Sequence, residues 1–191
     1  MACFMKKSII SYGAIFIMAN FEAISLDCGA HGKMMLLGRE IDCFFGKGGV
    51  IAKELKREGD HKSPLGAYPI RKVYWREDRG AKPQSPFETI AIKENFGWCD
   101  AAGDENYNRF VLHPYPKSAE KLWREDELYD IIVVLGHNDE PVVNGMGSAI
   151  FLHCTKPGYA GSEGCLVIDN ADLRELLDHC TLDTKIVFSA A

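Results

Sequence analysis

The sequence predicts a mainly β domain with a few helices. Short apolar runs rich in β-branched and aromatic residues alternate with turns marked by Gly and Pro, which is the pattern of many short strands. Two segments show convincing helical spacing, and no internal repeat is present. The 191 residues are 47% hydrophobic and 26% charged. This length and composition are typical of one globular domain with a sizeable core.

The first half of the chain reads as strands joined by turns. Residues 33–45 have partly alternating apolar positions on either side of Gly38, which predicts a hairpin. Glycines in residues 46–49 indicate a turn. Residues 63–66, Ser-Pro-Leu-Gly, predict another turn that leads into a strand over residues 67–74.

Two helices are expected in the second half. Ser118 is suited to cap a helix that runs to Leu128 and buries one stripe. The second helix begins near Asp169 or Asn170 and carries leucines at helical spacing, namely Leu173, Leu176 and Leu177.

Four apolar runs in the second half predict strands. Residues 130–135 are the most apolar β-branched run and should form a central strand. A buried strand over residues 148–152 places His153 at its end. Residues 165–168 and 185–188 complete the set.

The charge balance argues against two classes of partner. The net charge is −5 and the pI is near 5.7, so no basic face suited to phosphate backbones is expected. Nucleic acid and anionic membrane surfaces are therefore unlikely partners.

The amino-terminal segment resembles a secretory signal. Lys6 and Lys7 precede an uncharged run over residues 8–21, which is too short to span a bilayer, since that takes about 20 residues. We expect residues 1–25 to form a signal peptide or an N-terminal extension and residues 26–191 to form the domain, with no stable membrane span. The alternative is that the run forms a buried first strand.

The informative segment for chemistry runs from His153 to Cys165. The residues before the cysteine are Ser162-Glu163-Gly164. Gly164 lets the backbone approach a substrate closely, and its N–H with that of Cys165 could face a developing oxyanion. A nearby imidazole would raise the thiolate fraction of Cys165.

The cysteines favour neither a disulfide scaffold nor a zinc site. The seven cysteines are an odd number without regular short spacing, so at least one thiol should be free and a disulfide scaffold is not expected. Cys154 and Cys180 fit better as buried apolar fillers. A zinc site built from His153, Cys154, Cys165 and His179 lacks the usual ligand spacing, so no metal is expected.

These residues resemble the L,D-transpeptidase catalytic domain, also called the YkuD domain. Its signature is a His followed at some distance by Ser/Thr-x-Gly-Cys, here His153 and Ser162-Glu163-Gly164-Cys165. A second stretch, residues 59–70, resembles the Gly-x-x-x-x-Thr/Ser-Pro-x-Gly-x-Phe/Tyr-x-Ile pattern of the family. The resemblance extends from about residue 33 to residue 188.

The resemblance implies a curved β-sandwich or barrel and a cysteine-nucleophile acyltransferase of peptidoglycan. Cys165 attacks the bond between a diamino acid and D-alanine in a tetrapeptide donor and forms a thioester, which an amine acceptor resolves. His153 is the general base, Gly164 and Cys165 supply oxyanion donors, and Ser162 shapes the loop. Such chemistry needs no metal or organic cofactor.

Three departures from the family pattern matter. Eleven residues separate His153 from Cys165, so the substrate loop should be short. Glu163 stands where many members have a second histidine, and its charge disfavours a thiolate unless it is paired. Val167 replaces a frequent arginine, so a substrate carboxylate must be bound elsewhere. The substrate-binding residue is unknown, with Arg109, Arg124 and Lys156 as guesses.

Two alternative functions remain. An L,D-carboxypeptidase or endopeptidase, a hydrolase, would use water in place of the amine. A non-catalytic cell-wall-binding module would keep the fold without the reaction. Since wall substrates lie outside the cytoplasm, we expect a periplasmic or cell-envelope location, although the cysteine content also suits the cytoplasm.

Overall fold

The computed structural model describes residues 20–191, which form fourteen strands and one α-helix. The strands are β1 (Asn20–Ser25), β2 (His31–Leu36), β3 (Arg39–Phe44), β4 (Val50–Ile51), β5 (Ser63–Pro64), β6 (Gly66–Trp75), β7 (Thr89–Ala91), β8 (Phe96–Cys99), β9 (Phe110–Leu112), β10 (Ala119–Lys121), β11 (Ile131–Leu135), β12 (Phe151–Cys154), β13 (Leu166–Ile168) and β14 (Lys185–Ala190). The helix is α1 (Asn170–Asp178), and short 3₁₀ helices lie at Leu26–Cys28, Lys53–Leu55 and Glu127–Tyr129.

Eight of these strands close into a barrel. Their order is β11-β12-β13-β3-β2-β1-β14-β6, and β6 pairs again with β11, while β7 adds to the edge of β6. Side chains from alternate positions fill the interior, among them Phe21, Val133 and Leu166. The predicted mainly β fold with a curved, barrel-like sheet is therefore confirmed.

A second sheet of three strands, β10-β8-β9, covers part of the barrel's outer face. Trp98 of β8 and Leu122, next to β10, pack with Ile132 and Phe151 of the barrel wall. The protein thus has two apolar cores, one inside the barrel and one between the barrel and the second sheet. The second core matters for function because it contains Cys165.

The N-terminal segment contributes a strand to the barrel. β1 pairs in parallel with β14 and antiparallel with β2, so residues 20–25 belong to the main sheet. The expected signal segment otherwise lies outside the described residues. Within residues 20–191, no helix is long and apolar enough to cross a membrane.

The helix expected from Ser118 to Leu128 is wrong. Residues 119–121 form β10, where Glu120 pairs with Trp98, and a 3₁₀ helix follows at Glu127–Tyr129. Arg76 lies 3.6 Å from the Trp123 ring and donates to the Arg124 carbonyl at 2.5 Å. Pairing with β8 and these contacts outweigh helix propensity, which is a weak local preference.

The other elements follow the expected order with two shifts. The hairpin of β2 and β3, the strands β6, β11, β13 and β14, and α1 are confirmed, and Asp169 caps α1 by accepting from Ala171 N at 2.8 Å. Ser63 and Pro64 pair with β4 instead of forming a turn. β12 begins at Phe151, because Ala149 has a φ of 51° and cannot continue a strand.

Candidate active site

The barrel wall brings His153 and Cys165 to one surface. β12 and β13 pair in parallel, with Leu152 opposite Leu166 and His153 opposite Val167. Because side chains alternate along a strand, Leu152 and Cys154 enter the barrel while Phe151 and His153 face outward. His153 therefore lies within a strand, not at its end as expected, and faces the same way as the cysteine that precedes β13.

The Cys165 thiol is held between two backbone groups. Its Sγ donates to the Ala149 carbonyl at 3.1 Å and accepts from the Phe151 N–H at 3.4 Å. The residue is 7% exposed. The side chain is thus fixed just below the surface, and the Phe151 N–H is placed to stabilise negative charge on the sulfur.

His153 is oriented by a backbone carbonyl and by two tyrosine rings. Its Nδ1 lies 2.9 Å from the Cys154 carbonyl oxygen. A carbonyl only accepts, so Nδ1 donates in this contact, and a neutral ring then has its lone pair on Nε2. The Leu128 backbone is a second hydrogen-bond partner of the ring. The rings of Tyr129 and Tyr159 lie 5.1 and 6.4 Å from the imidazole centre, both edge-on.

Burial favours the neutral forms of both Cys165 and His153. Burial, and after it the negative charge of Glu120, raises the pKa of the Cys165 thiol to about 12. Burial lowers the pKa of His153 to about 4. An imidazole in its neutral form contributes no positive charge that would lower the pKa of the thiol.

The loop before the nucleophile is pinned by two serines. Ser162 Oγ donates to the Cys165 carbonyl at 2.7 Å and accepts from the Gly164 N–H at 3.0 Å. Ser63 Oγ accepts from Gly46 N and donates to the Gly164 carbonyl, both at 2.8 Å. The two sequence motifs thus meet at Gly164, and its N–H, expected as an oxyanion donor, is occupied by Ser162.

Glu163 is an exposed, paired carboxylate. It contacts Lys47 Nζ at 2.6 Å and His61 Nδ1. Partial burial opposes ionisation, but the hydrogen bonds from Lys47 and His61 hold the pKa of Glu163 below its ordinary value. The charge of Glu163 is therefore paired, which is the condition under which it does not disfavour a thiolate at Cys165.

Sequence reasoning missed Glu120 as a neighbour of the nucleophile. Its Oε1 accepts from the Tyr129 hydroxyl at 2.5 Å. Burial raises the pKa of Glu120, while that hydrogen bond lowers it. The sequence predicts a helix at this position, and no motif marks Glu120. The strand β10 brings it near Cys165 from 45 positions away in sequence.

Asn108 is a second residue without a sequence signal. Its side-chain oxygen accepts from Trp98 Nε1 at 2.9 Å and from Ala149 N at 3.0 Å. Its amide donates to the carbonyls of His137 and Asn138 at 3.1 and 2.8 Å. Asn108 therefore fixes Ala149, whose carbonyl accepts from the nucleophile.

Lys56 places a buried ammonium group near the catalytic loop. Its side chain is 2% exposed and pairs with Asp60. A Cβ built on Gly164 would lie 3.5 Å from Lys56 Nζ, and the positive charge of Lys56 opposes the rise in the pKa of Cys165.

The three basic residues guessed for substrate binding have different surroundings. Arg124 and Lys156 both pair with Asp126, at 2.8 and 3.2 Å. Arg109 instead borders a cavity of about 300 Å³. Val167 is fully buried. Among residues 20–191, no cluster of three or more His, Cys, Asp or Glu side chains has the arrangement of a metal site.

The chain matches the model of a known protein family over most of its length. A family model described as YkuD, L,D-transpeptidase catalytic domain, matches residues 31–188. A comparison with curated proteins gives no match. The solved structure of Bdellovibrio bacteriovorus Bd1075 aligns with 86% of this chain at 15% identity and a TM-score of 0.37. This chain covers 46% of that protein's chain.

Proposed function

Because this chain belongs to the YkuD family of L,D-transpeptidase catalytic domains, we propose that it is a cysteine-dependent L,D-transpeptidase. Its donor is a peptidoglycan tetrapeptide stem, cleaved between the diamino acid and D-alanine. Its acceptor is an amine. Cys165 is the nucleophile and His153 the general base.

One observation carries this proposal. His153 and Cys165 lie on the same outer face of β12 and β13, with the thiol held between the Ala149 carbonyl and the Phe151 N–H. The unprotonated Nε2 of His153 supplies the proton acceptor that a neutral thiol requires. A buried apolar filler cysteine needs neither feature.

In the first half-reaction the thiol loses its proton to His153 Nε2 as sulfur bonds to the donor carbonyl carbon. The carbon–nitrogen bond to D-alanine then breaks. His153 returns the proton to the departing amine, and a thioester remains on Cys165. We assign the Phe151 N–H to the negative charge on the sulfur and the Cys165 N–H to the developing oxyanion.

In the second half-reaction the acceptor amine attacks the thioester carbonyl. His153 Nε2 takes a proton from the amine, the carbon–sulfur bond breaks, and the proton passes to the sulfur. The enzyme returns to its neutral thiol and imidazole. Neither half-reaction calls for an electron donor or a cofactor.

Intact-protein mass after incubation with a carbapenem tests the nucleophile. Family membership leads us to expect that this β-lactam class acylates Cys165. We expect one adduct in the wild-type protein and none in Cys165→Ala, with Cys28→Ala, an exposed free cysteine, as the matched control that keeps the adduct. An unmodified wild-type protein would favour the binding-module alternative.

Product analysis separates transfer from hydrolysis. We expect a soluble tetrapeptide incubated with an added D-amino acid to give the exchanged tetrapeptide. Tripeptide as the sole product, with or without that amine, would show that the protein is a carboxypeptidase.

We also propose a periplasmic or cell-envelope location, because the substrate lies there. Fractionation with antibody detection checks this. Full-length protein confined to the cytosol would contradict it.

A further inference from the structure

A cavity of about 300 Å³ lies between the barrel's outer face and the second sheet. Its lining includes Tyr74 of β6, Trp98 of β8 and Phe110 of β9, together with Ile150 and Phe151 at the start of β12. The cavity thus combines residues from both layers, and no feature of the proposed chemistry so far uses it.

Two residues that line the cavity are linked by hydrogen bonds to the Cys165 thiol. Phe151, which lines it, donates its N–H to Cys165 Sγ at 3.4 Å. Asn108, another lining residue, holds Ala149, whose carbonyl accepts from the same sulfur. Two residues that line the cavity therefore also position the Cys165 sulfur, one directly and one through Ala149.

Aromatic side chains line the cavity, and one of them is partly exposed to solvent. Phe110 lies parallel to Tyr74, at 6.2 Å between ring centres and 12° between planes. Trp98 packs edge-on against Phe151 at 5.2 Å. Phe110 is 38% exposed, so an apolar part of a ligand can gain contact area there.

One of the cationic side chains at the rim of the cavity can still bind a carboxylate. Arg71 pairs with Asp139 at 2.7 Å and Lys72 with Glu88 at 3.3 Å. Arg109 donates to the Asp139 carbonyl at 2.9 Å. Within residues 20–191 no carboxylate lies at ion-pair distance from Arg109, so its planar guanidinium can still bind one.

We propose that this cavity binds the donor stem peptide and that Arg109 pairs with a carboxylate of that peptide. The assignment rests on the proposed function. It also supplies what the sequence left open, because Val167 is buried at the position where an arginine is frequent in the family. Arg109, on the loop before β9, takes over that role from the opposite layer.

Binding to an inactive protein tests the assignment without turnover. Isothermal titration of Cys165→Ala with a soluble tetrapeptide should show that Arg109→Gln weakens binding about tenfold, as expected for loss of a charge-assisted pair. Arg109→Lys should retain part of the affinity. Arg39→Gln, at a surface arginine paired with Asp172 and Glu175, is the matched control and should bind as the parent does.

Two amidated tetrapeptides show which carboxylate of the stem peptide pairs with Arg109. One tetrapeptide is amidated at its terminal D-alanine and another at the carboxylates nearer its amino terminus. The peptide in which the carboxylate that pairs with Arg109 has been amidated should bind about tenfold more weakly to the parent protein. That same peptide should bind equally to the parent and to Arg109→Gln.

Turnover distinguishes failure of the site from failure of the function. In otherwise wild-type protein, Arg109→Gln should raise KM for the tetrapeptide about tenfold with little change in kcat. Turnover with a KM independent of Arg109 overturns the cavity assignment and leaves the function standing. If the tetrapeptide binds in an Arg109-dependent way but D-alanine is not released, the cavity assignment stands and the proposed function is wrong. If the tetrapeptide does not bind, the cavity assignment is wrong.

Discussion

The acidic group with the largest effect on the Cys165 thiol is Glu120, because its negative charge raises the pKa of that thiol second only to burial. Glu163 is adjacent in sequence but has a smaller effect, since Lys47 and His61 pair with it at the surface. Glu120, which is near Cys165 only in the three-dimensional structure, thus affects its pKa more than the residue two positions before it in sequence.

Replacing Glu120 by Gln should therefore lower the pKa of Cys165. A raised thiol pKa means that the thiolate fraction grows as pH rises, so alkylation of wild-type Cys165 should increase through the neutral and alkaline range. Glu120→Gln should shift that profile to lower pH. The measurement is iodoacetamide labelling, followed by mass spectrometry of the peptide that contains residue 165.

Glu163→Gln is the control for this prediction and should shift the profile less. A larger shift in Glu163→Gln than in Glu120→Gln would contradict the assignment. So would a wild-type profile already at its plateau in mildly acidic solution, since that indicates a preformed thiolate and imidazolium pair.

Asn108 stabilises the site through four hydrogen bonds made by one buried amide. Replacing it by Ala leaves two donors and two carbonyl oxygens without that partner. We expect a loss of about 3 kcal/mol in the free energy of unfolding, because unpaired buried polar groups each cost about 1–3 kcal/mol and some regain water. Carbapenem acylation of Cys165 should slow about tenfold, as Ala149 is no longer fixed.

Urea unfolding and acylation rates measure this effect, and Asn106→Ala is the matched control. The Asn106 side-chain amide donates to the Tyr115 hydroxyl at 3.0 Å, so its loss should cost under about 1 kcal/mol. Equal stability and equal acylation in the two variants would refute the role of Asn108.

At the scale of elements, the loop between β12 and β13 determines where the thiol lies. Gly164 has a φ of 140°, and a Cβ there would lie 3.0 Å from the Lys62 carbonyl oxygen and 3.2 Å from Ile150 Cδ1. Gly158, in the same loop, has a φ of 73° but no atom within 4 Å of such a Cβ. The two glycines thus separate backbone strain from crowding.

We expect Gly164→Ala to slow carbapenem acylation at least about tenfold, because both strain and crowding displace the loop, at a cost of roughly 1–3 kcal/mol. Gly158→Ala should acylate at nearly the wild-type rate. Intact-protein mass over time gives both rates. Acylation of Gly164→Ala as fast as Gly158→Ala would show that the loop adjusts freely.

At the scale of the whole molecule, barrel closure depends on β1. It lies between β2 and β14, with Phe21 fully buried in the interior and Glu22 exposed. Loss of this strand's packing would open the sheet between its two neighbours. The amino-terminal segment is therefore part of the folded unit from Asn20 onward.

Phe21→Ala should lower the free energy of unfolding by about 3–5 kcal/mol, the usual cost of removing a buried aromatic ring. Glu22→Ala, one position along and facing solvent, should change it by less than about 0.5 kcal/mol. Urea denaturation followed by tryptophan fluorescence measures both. Equal midpoints would mean that β1 contributes little to the barrel.

Several features of this protein were determined by the sequence alone. Partly alternating apolar positions predicted β2 and β3, because alternate residues of each are buried. Continuous apolar runs predicted β11 and β13, which are buried throughout. Leucine spacing and an Asp at the N-cap predicted α1. The His153 and Ser-x-Gly-Cys motifs led to the family, because short motifs record chemistry that acts within a few residues.

The tertiary structure alone decided the environment of the nucleophile. Glu120, Asn108 and Lys56 reach Cys165 from other elements, and residues 119–121 became a strand because β8 offered a partner. Burial and charge at a point in space depend on residues distant in sequence, so no local pattern reports them. For that reason the His153 and Ser-x-Gly-Cys motif could be recognised from the sequence, while the burial of these residues and the cavity lined by Asn108 and Phe151 could not.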